Sequence, residues 1–135
     1  MYLIDTDILI YNLRNHDLVN ENFRRNAKEK KVISVINYGE LYFGAKKSKY
    51  SAKNLATVKR IGEIFEIIDI DKTIMENFGE LKTQLQSKGR TIADLDLIIA
   101  STALSLNYIL VTNNERHFNK VPGLAIENWS KKLSG

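Results

Sequence analysis

Residues 2–13, YLIDTDILIYNL, decide the fold. Tyr2, Leu3 and Ile4 form a short apolar run that reads as a buried strand and stops at Asp5. From Thr6 to about Leu13 the pattern turns helical, with Thr6 or Asp7 available as the N-cap. A buried strand handing over to a helix across an acidic residue opens a parallel α/β unit, and the rest of the chain repeats the alternation.

Working outward, Leu18, Phe23 and Ala27 recur at helical spacing over 17–29, and the KEKK run at 28–31 closes that helix at its negative end. VISVI at 32–36 is β-branched and predicts a second strand. Asn37 then opens a helix striped by Tyr38, Leu41, Tyr42 and Ala45, and Leu55, Val58, Ile61 and Phe65 mark another over 51–65. EIIDI at 66–70 predicts a third strand, and Ile74, Phe78, Leu81 and Leu85 a helix over 71–88 that Gly89 stops. Residues 91–106 predict a helix apolar on most faces, hence central. YILVT at 108–112 predicts a fourth strand, a polar loop follows, and GLAIENW at 123–129 adds an edge strand. The sum is one domain over 1–135, a three-layer α/β fold with a mainly parallel central sheet flanked by helices.

The chain of 135 residues has the size for one core, and with 44% hydrophobic and 27% charged residues it is an ordinary globular composition. It contains no Cys, which excludes disulfides and thiolate metal sites and fits a reducing cytoplasm. The N-terminus lacks a basic region and carries two acids within its apolar stretch, unlike a signal peptide; no run is long enough to span a membrane. The net charge of +4 is compatible with a polyanionic partner and decides nothing alone.

Three acids, Asp5, Glu40 and Asp96, each fall where a strand hands over to a helix or in the first turn of a predicted helix. In a parallel α/β sheet such positions gather beyond the carboxyl ends of the strands. Converging carboxylates with no Cys and few His suit a hard divalent cation, Mg²⁺ or Mn²⁺. Each acid also has a plainer reading: Glu40 follows Asn37, and Asp94 follows Thr91, at capping-box spacing, and Asp7 can be an N-cap. Asp94 and Asp96, two apart on one helix, point to opposite sides; periodicity leaves open which faces the site. Lys46, Lys47, Arg116 and His117 are candidates for contacting phosphates, with a solvated helix face as the alternative for the lysines.

Assembled in order, LIDTDILI at 3–10, VISVINYGELYFGA at 32–45, IADLDLIIASTALSLNYILVTNNERHF at 92–118 and VPGLAIENW at 121–129 resemble the PIN-domain ribonucleases, most closely the toxin subunit of VapBC-type toxin–antitoxin systems. The resemblance implies a PIN-like fold and a metal-dependent endoribonuclease with Asp5, Glu40 and Asp96 as its catalytic, metal-holding acids. The family's fourth acidic position falls on Asn114, while Asp7 stands where the family often has Asn. Thr6 and Thr112 match small hydroxyl positions lining the site, and Asn114, Asp94 and Asp7 become groups that orient the ligands. The resemblance also implies an RNA substrate, a homodimer, and a VapB-like antitoxin whose tail inserts at the active site, within a larger toxin–antitoxin assembly. An RNA-processing nuclease without an antitoxin, a catalytically inactive RNA-binding module and a receiver-like signalling domain are the alternatives.

Overall fold

The computed structural model describes residues 1–132. In chain order the elements are β1 (Tyr2–Ile4), α1 (Thr6–Leu13), α2 (Asp17–Arg25), β2 (Lys31–Ser34), α3 (Val35–Lys46), α4 (Ser51–Ile64), β3 (Glu66–Ile68), α5 (Lys72–Ser87), α6 (Asp94–Leu106), β4 (Ile109–Val111), α7 (Glu115–Phe118) and β5 (Ile126–Glu127). The strands form one sheet in the order β3-β2-β1-β4-β5, and every pairing is parallel.

Side chains alternate across each central strand, and the alternation builds the three layers. Leu3, Val32 and Leu110 face one apolar cluster with Leu81 and Leu85 of α5, Leu97 and Ala100 of α6, and Phe118. Their neighbours Ile4, Ile33 and Val111 face the other, with Ile8 of α1, Val19 of α2, Leu41 of α3 and Val58 of α4. Because the order reverses at β1, the crevice between the carboxyl ends of β1 and β4 is the topological switch point, where α/β folds place their sites.

Several boundaries differ from the sequence expectation, each for a local reason. α1 is capped by Asp5, not Thr6 or Asp7: its carboxylate accepts from the Thr6 amide. α2 ends at Arg25, so residues 28–30 of the KEKK run lie outside it and Lys31 joins β2. There the Asn26 side chain closes back on the Asn22 carbonyl at 2.9 Å, and Lys31 donates to the Asn26 carbonyl. β2 stops at Ser34, and the β-branched Val35 and Ile36 begin α3, because Ser34 and Asn37 form a reciprocal capping box. α6 starts at Asp94, and Asn107 ends it in the left-handed conformation at φ 56°. The polar loop after β4 contains the one-turn α7, and the predicted edge strand shrinks to Ile126–Glu127.

Trp129 closes the second cluster. It is buried, meets the rings of Tyr2 and Phe23 edge-on at 5.1 Å each, and donates from Nε1 to Glu127 at 2.9 Å. Trp129→Ala should lower stability by about 3–5 kcal/mol, the range for emptying an aromatic core site. Urea unfolding checks it, and a change below about 1 kcal/mol would contradict this packing role.

Candidate active site

β1 is the middle strand, so the residue leaving its carboxyl end is enclosed on both sides. That residue is Asp5, only 6% exposed. Three donors orient its carboxylate: the Thr6 amide at 2.9 Å and Asn37 Nδ2 at 3.1 Å on Oδ1, and the Thr112 hydroxyl at 2.8 Å on Oδ2. Burial still dominates and pushes its pKa from 3.8 to about 7, with the negative charges of Asp7 and Asp96 adding to the rise.

Glu40 joins from the second turn of α3. Asn37 takes the capping position, which frees Glu40 from the capping-box reading and lets its Oε1 accept the Thr6 hydroxyl proton at 2.7 Å. Asp96, in the first turn of α6, has Oδ2 3.5 Å from His117 Nδ1, and that nitrogen lies 3.0 Å from the Asn114 side-chain amide. The Asn114 backbone amide donates to the Thr112 hydroxyl at 3.0 Å, completing the path back to Asp5. Asp7 accepts from the amides of Ile8 at 2.7 Å and Asn113 at 3.1 Å; burial raises its pKa, and the charges of Asp96 and Glu40 push it further the same way.

Asp5, Thr6, Glu40, Asn37, Thr112 and Asn114 thus form one hydrogen-bonded set that reaches the His117 ring through the Asn114 amide, with Asp96 beside that ring and Asp7 electrostatically coupled to the set. Asp94 does not join. Its carboxylate is paired with Lys82 of α5 at 2.9 Å, on the side of α6 away from Asp96, which resolves the choice between the two acids. The lysines are not drawn in either: Lys46 lies exposed in the last turn of α3, and the Lys47 ammonium sits over the Phe43 ring at 5.1 Å. Arg116 is exposed beside the site, and the half-exposed His117 ring stands 3.5 Å from the Asp96 carboxylate.

Glu40 also divides two open grooves. One, of about 430 Å³ between α1, α3 and α4, includes Arg14, Leu41, Ser48 and Val58 in its walls. The other, of about 580 Å³, is apolar and lined by Val35, Ile36, Phe43 and Leu95. Sequence reasoning missed Arg14 at the groove and the long-range role of Asn37; of the aromatics near Glu40, Tyr38 is packed into the core while Tyr42 and Phe43 stay exposed.

Comparison with known proteins agrees with this architecture. The PIN-domain family model matches residues 2–124. The chain is 38% identical to Ribonuclease VapC2 of Rickettsia felis over 133 residues, 97% of this chain and 99% of that one. It is 35% identical to the tRNA(fMet)-specific endonuclease VapC of Shigella flexneri over 130 residues, covering 96% and 98%. Among solved structures, VapBC2 of Rickettsia felis bound to a promoter DNA fragment superposes with a TM-score of 0.87, covering 95% of this chain and 98% of that one. The chain therefore belongs to the PIN-domain family, among the VapC-type ribonucleases of toxin–antitoxin systems, and is a nuclease. Divalent-metal dependence is general to such nucleases.

The raised pKa of Asp5 has a signed consequence for stability. Between 3.8 and about 7 the folded carboxyl keeps a proton that the unfolded chain has lost, so stability falls as pH rises through that window. The loss from this group can reach about 4 kcal/mol. The melting temperature of metal-free protein should drop by roughly 10 °C from pH 5 to pH 8, and Asp5→Asn should flatten most of that drop. Parallel profiles for the two proteins would contradict the assignment.

Proposed function

We propose that this chain is a cytoplasmic endoribonuclease that hydrolyses RNA phosphodiester bonds with Mg²⁺ or Mn²⁺ held by Asp5, Asp96 and Glu40, and that a VapB-like antitoxin restrains it. The buried Asp5 carboxylate carries the reading. Its ionised form is disfavoured by burial and by neighbouring acids, and a bound cation offsets both.

The residues fit such an ion by chemistry: the donors are carboxylate oxygens, Asp5 lies in the field of Asp7 and Asp96, and Asp7 in that of Asp96 and Glu40. Among the described residues, no three acidic or histidine side chains are already gathered as a coordination cluster. When bound, the cation would acidify a water and neutralise charge building on the phosphate. Asp5 and Asp96 would hold it directly. Thr6 fixes Oε1 of Glu40 with its hydroxyl proton, leaving the other carboxylate oxygen to accept a proton from the attacking water. Thr112 and Asn114 orient Asp5, and the Asn113 amide holds Asp7 beside them.

RNA phosphates approaching this acidic crevice need cations at its rim. Arg116 in α7 and Arg14 in the α1–α3–α4 groove suit that task, with Lys46 and Lys47 at the end of α3. The apolar face of Val35, Phe43 and Leu95 suits a homodimer contact, and the Glu40 grooves suit an antitoxin segment. The assembly named for the Rickettsia felis relative, VapBC2 on promoter DNA, supports that partner.

Purified protein should cleave RNA with Mn²⁺ or Mg²⁺ and stop on addition of chelator. The RNA panel includes initiator tRNA, for which the Shigella flexneri relative is named. Asp5→Asn, Glu40→Gln and Asp96→Asn should each lose about 10²-fold or more in rate while remaining folded by circular dichroism. Cleavage indifferent to chelator would contradict the metal reading, and full activity in any variant would remove that residue from the site. Expression of wild type should arrest growth, relieved by Asp5→Asn or by a co-expressed antitoxin; equal growth of wild type and variant would count against a toxin.

A further inference from the structure

Asn37 is wholly buried and spends its amide on three elements at once. Its Oδ1 accepts from the Ser34 amide at 3.0 Å, which closes the cap of α3. Its two Nδ2 protons go to Asp5 Oδ1 at 3.1 Å and to Thr6 Oγ1 at 3.0 Å. The capping bond decides which way the amide faces: Ser34 offers an N–H and needs the oxygen, so the NH₂ must point at the acids. Because Thr6 Oγ1 already accepts from Asn37, its own proton is free to go to Glu40 Oε1 at 2.7 Å.

We infer that Asn37 is a positioning residue of the nuclease site: a single buried amide orients Asp5 directly and, by directing the Thr6 hydroxyl, orients Glu40. It ties the carboxyl end of β1 to the first turns of α3, so the two acids are held in fixed relation before ion or RNA arrives. Capping of α3 alone would not require the amide protons. Without those donors Asp5 keeps only the Thr6 amide and the Thr112 hydroxyl, and the Thr6 hydroxyl can turn away from Glu40.

The inference rests on the proposed nuclease site, and the test separates the two. Asn37→Ala, Thr6→Val, their double variant, Ser34→Ala and Asp5→Asn are compared by thermal unfolding, by calorimetric titration with Mn²⁺ alone, and by steady-state RNA cleavage. Ser34→Ala removes the Ile36 cap contact yet leaves the Asn37 donors in place, so it should lower the melting temperature but keep kcat and Mn²⁺ affinity within about threefold. Asn37→Ala should weaken Mn²⁺ binding or kcat by about 10–100-fold with little change in KM. Combining it with Thr6→Val should cost far less than the product of the two single effects.

Should Asn37→Ala fail to fold, Asn37→Ser keeps an oxygen that can accept from the Ser34 amide while removing the paired amide donors, and its kcat should fall by a similar factor. Asn37 variants as active and as tightly Mn²⁺-binding as Ser34→Ala would overturn the inference, as would independent, multiplicative effects of Asn37→Ala and Thr6→Val. Under either result, loss of activity in Asp5→Asn would leave the nuclease reading standing.

Discussion

A carboxylate kept away from water at the end of the middle strand is the constraint on which the rest of this structure depends. Asp5 is buried because β1 is flanked by β2 and β4, and Leu3 and Ile4 of that strand pack into the apolar layers on opposite faces of the sheet. Packing therefore fixes where the charge must sit. Three hydrogen-bond donors reach it, yet burial and neighbouring acids still outweigh them, as its pKa of about 7 records. A bound proton relieves that imbalance below about pH 7, and a cation would relieve it above.

The surrounding hydroxyls carry direction as well as contact. On one side, the Asn114 amide fills an acceptor site on Thr112, so the Thr112 proton goes to Asp5. On the other, Asn37 fills an acceptor site on Thr6, so the Thr6 proton goes to Glu40. Each threonine is set by a neighbouring amide, and each gives its proton to a carboxylate. The arrangement keeps acids oriented by neutral groups, which leaves their charge available for the ion proposed above.

Much of this was legible in the sequence. The strand–acid–helix handover at Asp5 marked both the sheet and the edge where the acids gather, because apolar run, acid and helical period are all local signals. Asp96 and Asp94 could be told to face apart but not which faced the site; that depended on Lys82 of α5, a contact between distant segments. Propensity misjudged 32–36, since β-branched Val35 and Ile36 favour strand locally and were overruled by the cap that Ser34 and Asn37 form. That cap was in principle readable from the three-residue spacing. The reach of Asn37 to Asp5 was not, because it exists only once β1 and β2 lie side by side. α7 escaped notice as a single turn, too short for a helical period to register.

Crystals soaked in Mn²⁺ test most directly whether Asp5 holds a divalent ion. Anomalous scattering should place a manganese about 2–2.6 Å from an oxygen of Asp5, with Asp96 or Glu40 in the same coordination shell. A manganese-free crevice at saturating Mn²⁺, or an ion bound elsewhere with Asp5 untouched, would contradict the account.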